Sequence, residues 1–449
     1  MPTHAPLTFQ QQWLLSLTRD NERWQCAAAY AFRLRGELSL SLLQRCVQAV
    51  IRRHASLRTR IAVSDAGFWQ EIAESLPFTL TSEPVPGDSE MQREAKAKRI
   101  VGELCDLKMD ITAGPLWNAR LLRLDAREHW LILAMHRLIG DCASIDQVYQ
   151  EIRALYGAWE QGLPSPLGEP RQYRDYALEQ RRSAVEWANR HEQWWRQHLS
   201  GATCLRWSQG PPKAAGSNET LGKVQCSFGE ELSAHLREFA RKSRTLAATL
   251  MMALYASVLW NWTRQEDFVL PFNIAGRQSE HKSVIGYFSY VLYLRIRITG
   301  DEAFEQVLGR VGNEFFSTLS HQDFGRVVAE QSTLLAGTLF QWITWHPDDV
   351  PTAPRTAVGG VPQSMLTPAI ERVSVRDFGE GLTLVPPGMT ALEVTFFDTP
   401  QGLLASGSYR TECFNAPTME RLMTDLRAAA ELFVHNPKAR IAPLSTERH

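Results

Sequence analysis

The residues best suited to chemistry lie together in the stretch MHRLIGDCAS, where His136 and Arg137 are followed by Asp141 and Cys142. Histidine is the usual side chain for proton transfer near neutral pH. Arginine stays protonated and has only donors, so Arg137 can bind an anion or a developing oxyanion but cannot accept a proton. The candidate catalytic residues are therefore Arg137, His136 and Asp141.

Each of these residues also has a structural interpretation. For His136 a structural role is favoured over proton transfer, because successive side chains of a strand point to opposite faces and His136 cannot exchange places with Arg137 without a register shift. Arg137 can line a site as a polar or anion-binding residue, fill the site, or take part in catalysis, and the sequence leaves these alternatives open. A thiol nucleophile at Cys142 is disfavoured, since small buried cysteines are common and the nearest histidine in sequence lies on the preceding strand.

The elements that position these residues are a strand and a helix. ARLLRLDAREHWLILAMH (119–136) contains two alternating apolar runs around a polar turn, which predicts a hairpin whose second strand ends at His136. From 137 onward the apolar residues fall at helical spacing, which predicts a helix. Gly140 and Asp141 lie in the loop between that strand and that helix.

Composition excludes several classes of protein. The 449 residues include 48 Lys and Arg against 49 Asp and Glu, so no basic surplus indicates a nucleic-acid partner. The seven cysteines are scattered without metal-ligand or redox spacing, which favours a reducing cytoplasm. The most apolar stretch, from 246 to 262, contains polar residues and predicts a buried helix, so we expect no membrane partner.

Helix and strand patterns alternate irregularly, which favours an α+β fold over a doubly wound sheet. The stretch EQGLPSPLGEPRQ, from 160 to 172, is the richest in Pro and Gly and predicts the domain boundary. We therefore predict an N-terminal domain at 1–172 that carries the HRLIGDC motif and a C-terminal domain at 173–449.

Several motifs, in order along almost the whole chain, resemble those of the condensation domains of nonribosomal peptide synthetases. They are LTFQQQWLLSL at the N-terminus, RRHASLRTRI, DITAGPLWNARLLRL, MHRLIGDCAS in the place of HHxxxDG, QYRDYALEQ, FNIAGRQSEHKSVIGYFSYVLYLRI, SHQDF and YRTECFNAPTMERL. The resemblance implies two chloramphenicol acetyltransferase-like lobes in a V arrangement, with a central tunnel between them.

The resemblance also implies roles for particular residues. Asp141 takes the place of the motif aspartate, which forms a structural ion pair with an arginine of the other lobe, here Arg277. Arg137 stands where the family has its second, proton-handling histidine, and Cys142 replaces the motif glycine. A reduced reaction is still possible, because positioning two reactants can contribute more to the rate than a base.

The function implied is the joining of carrier-protein-bound thioesters through an amide or ester bond in secondary metabolism, at an atypical active site. The alternative is a catalytically inactive relative that binds a carrier protein or recruits a partner enzyme. We expect no directly bound cofactor, with substrates held on the phosphopantetheine arms of peptidyl or acyl carrier proteins. Neighbouring synthetase modules or a recruited enzyme are further expected partners.

Overall fold

The computed structural model describes residues 3–18, 27–64, 67–105, 107–207, 221–322, 330–344, 369–373 and 389–442. The chain forms two compact units, each assembled from separated segments. The first unit consists of Met1–Ala184, Arg277–Ser289 and Asp348–Leu382. The second consists of Val185–Gly276, Tyr290–Pro347 and Thr383–His449. Both units combine helices with sheets, so the α+β prediction is confirmed.

The first unit continues past the predicted boundary at 172 and takes in a segment from the middle of the chain. The physical reason lies in side-chain contacts that sequence spacing does not reveal. Tyr173 is buried, and its hydroxyl lies 2.9 Å from the hydroxyl of Thr8 and donates to the carbonyl of Tyr287. The helix that begins at Tyr173 is thereby attached to the first unit.

The described strands of the first unit are β1 (Thr3–Pro6), β2 (Ala27–Arg35), β3 (Thr59–Ser64), β4 (Gly67–Ile72), β5 (Thr81–Pro84), β6 (Trp117–Asp125), β7 (Glu128–His136) and β12 (Ala369–Val373). They form a five-stranded sheet in the order β12-β2-β7-β6-β5 and a three-stranded sheet in the order β1-β4-β3. Its helices are α1 (Phe9–Thr18), α2 (Leu40–Arg53), α3 (Glu90–Cys105), α4 (Cys142–Glu160) and α5 (Tyr173–Trp187), the last of which runs on past Ala184.

The central strand β7 is buried on both faces, which explains its continuous apolar run. Leu131, Leu133 and Met135 join the cluster formed with α2 and α4, whereas Trp130 and Ile132 join the cluster formed with α3. The predicted hairpin is confirmed, since β6 and β7 pair antiparallel and β7 ends at His136.

The described strands of the second unit are β8 (Leu221–Phe228), β9 (Asp267–Ile274), β10 (Tyr290–Arg297), β11 (Leu339–Thr344), β13 (Leu392–Thr399) and β14 (Gly402–Arg410). They form a six-stranded sheet in the order β10-β9-β11-β13-β14-β8. Its helices are α6 (Gln193–His198), α7 (Gly229–Lys242), α8 (Ala247–Thr263), α9 (Phe304–Ser320) and α10 (Ala416–His435).

Helix α8 is buried from Thr249 to Trp260, as its apolar sequence predicts. Within the described ranges, no single helix is both long and apolar enough to cross a membrane. The pair α7 and α8 meets those criteria only when joined, and the two helices are bent by 107° at the break between them.

Candidate functional site

The turn after β7 places Arg137 at a corner. The backbone N–H of Ile139 donates to the carbonyl of His136 at 3.0 Å, which closes a β-turn over His136–Ile139 with Arg137 in its second position. Arg137 is buried, with 3% of its surface exposed. A permanently charged group with donors only therefore lies beside the histidine that ends the strand.

His136 is used within the turn as a hydrogen-bond acceptor. Its Nδ1 accepts the backbone N–H of Leu138 at 3.1 Å. Burial, together with the positive charge of Arg137, lowers the pKa of His136 to about 4, so the imidazole is neutral at neutral pH. A neutral imidazole that accepts at Nδ1 carries its proton on Nε2. This arrangement leaves His136 without a lone pair for taking a proton from a substrate.

Asp141 begins α4 as its N-cap residue. Its Oδ1 accepts the backbone N–H of Ser144 at 3.0 Å and Nη2 of Arg277 at 2.6 Å, and its Oδ2 accepts the backbone N–H of Phe288 at 3.3 Å. The predicted ion pair of Asp141 with Arg277 is therefore present. Asp141 therefore has a structural role in holding the loop, since both of its carboxylate oxygens accept hydrogen bonds from protein donors.

The ion pair is deeply buried, with 4% of the Asp141 side chain and 8% of the Arg277 side chain exposed. Arg277 also donates through Nη1 to the carbonyl of Val284 at 2.6 Å, and its guanidinium lies 4.4 Å from the ring centre of Phe288. The resemblance places this arginine in the other lobe, but Arg277 and Asp141 belong to the same compact unit. The pair therefore joins two segments of one unit.

Ser144 is a third member of this group, and the sequence prediction did not include it. Its hydroxyl lies 2.9 Å from Oδ1 of Asp141 and accepts the backbone N–H of Gly286 at 3.0 Å. The Asp-x-x-Ser spacing at the start of a helix is a capping pattern that could have identified it. We call Asp141, Ser144, Arg277 and Gly286 the loop frame.

A second buried group supports α4 further along. Glu151 accepts Nε of Arg53 at 3.0 Å and lies 2.8 Å from Nε2 of His54. Burial alone would raise the pKa of Glu151, but the hydrogen bond and charge of His54, with smaller contributions from Gln147 and Arg53, outweigh burial and lower it. The RRH motif therefore stabilises the helix that Asp141 begins.

Cys142 is the first residue of α4, is partly buried and packs against the main core cluster, which fits the packing role expected for it. A possible metal-ligand cluster among the described residues consists of Glu90, Glu94 and Glu128. Arg33 forms ion pairs with all three carboxylates, so a protein cation already occupies this cluster.

The fold places this chain in a class of acyltransferase-like domains. The family model described as the condensation domain matches residues 1–332, and the chain belongs to this family. The architecture is that of the chloramphenicol acetyltransferase-like fold. A linear gramicidin synthase of Brevibacillus parabrevis is 30% identical over 99% of this chain. The chain spans only 9% of the length of that synthase.

Two solved structures show the same fold at low sequence identity. The X-domain in complex with OxyB from teicoplanin biosynthesis has a TM-score of 0.78 and 21% identity, covering 100% of this chain and 97% of that one. The first condensation domain of the calcium-dependent antibiotic synthetase, in complex with a substrate analogue, has a TM-score of 0.75 and 16% identity, covering 98% of each chain.

Proposed function

We propose that this chain acts as a condensation domain in nonribosomal peptide synthesis, in the cytoplasm, on thioesters delivered by peptidyl or acyl carrier proteins. The observation that carries the proposal is the complete loop frame around the turn that holds Arg137. Four contacts of 2.6 to 3.3 Å hold Asp141, the N-cap of α4. These contacts fix the backbone of the turn, as the placement of Arg137 against a substrate would require.

In the proposed reaction, the acceptor amine attacks the carbonyl carbon of the donor thioester, and the carbon–sulfur bond breaks. The amide forms, the sulfur leaves as the thiolate of a phosphopantetheine arm, the proton lost by the amine passes to solvent, and the thiolate takes up a proton from solvent. An α-amino group has a pKa near 8, so a fraction is already neutral at pH 7 and can attack without a protein base. Arg137 stabilises the negative charge that develops on the carbonyl oxygen.

A second candidate function is the binding of a carrier protein, or the recruitment of an enzyme to one, without catalysis. The observation that favours it is that neither residue at the turn can accept a proton: Arg137 has donors only, and Nδ1 of His136 is occupied by Leu138. The teicoplanin X-domain, which has a similar fold, was solved in complex with OxyB.

The deciding experiment mixes the purified protein with loaded donor and acceptor carrier proteins and follows the products by intact-protein mass spectrometry. Amide product from the unaltered protein supports condensation, whereas carrier binding without product supports the second function. The absence of both product and binding would contradict both proposals. Product that survives Arg137→Ala would show that the guanidinium is dispensable.

The variant Arg137→His would introduce a residue that can act as a base at the corner of the turn. If condensation is the function, we expect amide formation to rise, because a general base contributes about 10²- to 10⁴-fold and the imidazolium formed on taking the proton can still donate to the carbonyl oxygen. The matched control is Arg127→His, at an exposed arginine in the turn between β6 and β7, which should leave the rate unchanged.

A further inference from the structure

The turn that carries Arg137 is held at a second place, independent of the loop frame. Both backbone polar atoms of Leu138, the residue after Arg137, are engaged. Its N–H donates to Nδ1 of His136 at 3.1 Å, and its carbonyl accepts Nε2 of Gln11 at 2.7 Å. The two peptide groups that follow Arg137 are therefore fixed in orientation, one of them by a residue from the first helix of the chain.

Gln11 is itself held in a single orientation. Its Oε1 accepts the backbone N–H of Thr8 at 2.9 Å, and its backbone N–H donates to the hydroxyl of Thr8 at 3.1 Å. These reciprocal bonds form a capping box at the start of α1. With Oε1 occupied as an acceptor and the side chain fully buried, the amide can present only Nε2 to Leu138.

The series of hydrogen bonds continues from Thr8 to the segment that contains Arg277. The hydroxyl of Thr8 lies 2.9 Å from the hydroxyl of Tyr173, which donates to the carbonyl of Tyr287. Burial raises the pKa of Tyr173 well above its ordinary value, so the phenol keeps its proton. Because that single proton goes to Tyr287, the threonine hydroxyl donates to Tyr173.

We infer that Gln11 is a positioning residue for Arg137, acting through the carbonyl of Leu138, and that Thr8 and Tyr173 keep Gln11 in the required orientation. The inference rests on the proposed function in one respect, namely that Arg137 is the residue that meets the substrate. A loss of the Gln11 contact lets the peptide between Leu138 and Ile139 rotate and loosens the turn at Arg137, and a displacement of about 1 Å at a reacting group can reduce a rate by about 100-fold.

The test compares Gln11→Met with Gln10→Met in the full chain. Methionine has a similar length but no amide, so Gln11→Met removes the donor to Leu138 without adding charge. Gln10 is a matched control because it is equally buried on the same turn of α1. Its side chain bonds instead to Tyr176 at 3.1 Å and to Gln180 at 2.9 Å.

The first readout is the protonation of His136, followed by NMR of labelled histidine between pH 7.5 and pH 5, and it requires no activity. In the unaltered protein and in Gln10→Met, His136 should stay neutral over this range, because its pKa is about 4. In Gln11→Met the turn loosens and water reaches the ring, so the pKa should move toward its ordinary value of 6.5. An unchanged His136 in Gln11→Met would overturn the inference.

The second readout is the rate of amide formation from carrier-bound substrates. We expect Gln11→Met to lower kcat by about 10- to 100-fold at nearly constant KM, whereas Gln10→Met should stay close to the unaltered protein. Equal kcat in the two variants would contradict the inference. If the unaltered protein forms no product while the His136 readout responds to Gln11→Met alone, the proposed reaction fails and the positioning role stands.

If Gln11→Met does not fold, Tyr173→Phe tests the same series of hydrogen bonds at the end that is farther from Leu138. This variant keeps the aromatic ring and Gln11 but removes the hydroxyl between Thr8 and Tyr287. We expect a smaller change in the same direction for His136 and for kcat. No change in either quantity would overturn the role assigned to Tyr173 and Thr8.

Discussion

The loop frame and the corner of the turn lie within a few residues of each other, yet their chemistry differs. Every member of the frame is matched to a partner: Asp141 accepts from Ser144 and from Arg277, and Ser144 accepts from Gly286. The corner holds Arg137, which cannot carry out the base chemistry associated with its place in the motif. These frame contacts do not involve the side chain at position 137. The residue at position 137 can therefore change while the frame stays intact.

The largest expected effect comes from breaking the frame at its ion pair. In Asp141→Ala, the guanidinium of Arg277 loses its carboxylate while remaining buried, and α4 loses its N-cap. Removing one partner of a buried pair costs about 3–5 kcal/mol of unfolding free energy. Urea unfolding should show this loss.

A surface pair provides the control for this prediction. Glu186 pairs with Arg190 one turn along a helix, with about two thirds of each side chain exposed. We expect Glu186→Ala to lower stability by less than about 0.5 kcal/mol. Equal losses in Asp141→Ala and Glu186→Ala would show that the frame does not hold the loop.

A smaller effect on the free energy of unfolding is expected from the titration of His136, which makes stability depend on pH. The unfolded imidazole takes up its proton near pH 6.5, whereas the folded one does so only near pH 4. The unfolded state therefore binds more protons between these values, and stability falls as pH decreases from about 6.5 to about 4. The difference in pKa corresponds to roughly 3 to 3.5 kcal/mol.

The variant His136→Asn isolates this contribution. An asparagine side chain can accept the N–H of Leu138 as in an Asx turn, but it does not titrate. Urea unfolding at a series of pH values should show a flatter curve for His136→Asn than for the unaltered protein. Parallel curves for His136→Asn and the unaltered protein would refute the prediction.

The smallest expected change in stability comes from a substitution that tests how tightly the loop frame is packed. A Cβ at Gly286 would lie 2.0 Å from Cδ2 of Tyr173, whose ring is buried and whose hydroxyl is bonded at two sides. We expect Gly286→Ala to cost about 1–3 kcal/mol through overpacking. Thermal unfolding would measure this change.

The contrasting glycine is Gly309 in α9, where an added Cβ meets nothing within 4 Å. Alanine in a helix interior is favoured over glycine by up to about 1 kcal/mol, so Gly309→Ala should raise stability slightly. A gain at both positions would mean that the segment carrying Gly286 is not closely packed against Tyr173.

Local patterns predicted the elements that carry the site, because alternation and helical spacing depend on neighbouring residues. The hairpin that ends at His136 and the buried helix near 246–262 are present, and the predicted helix after 137 begins at Cys142. The boundary at 172 differs from the spatial division, which keeps Tyr173 and the segment from Arg277 to Ser289 in the first unit. Proline and glycine content marks a loop but does not reveal which segments pack together.

The amino-acid sequence by itself determined the α+β class, the family resemblance and the absence of a base at position 137, and the resemblance implied the pairing of Asp141 with Arg277. Only the tertiary structure decided that Nδ1 of His136 is occupied, that Ser144 completes the frame and that Gln11 holds the carbonyl of Leu138. The physical reason is that residue chemistry and local spacing are properties of the chain itself. A buried hydrogen bond between distant segments exists only after packing brings a donor within about 3 Å of an acceptor and excludes water.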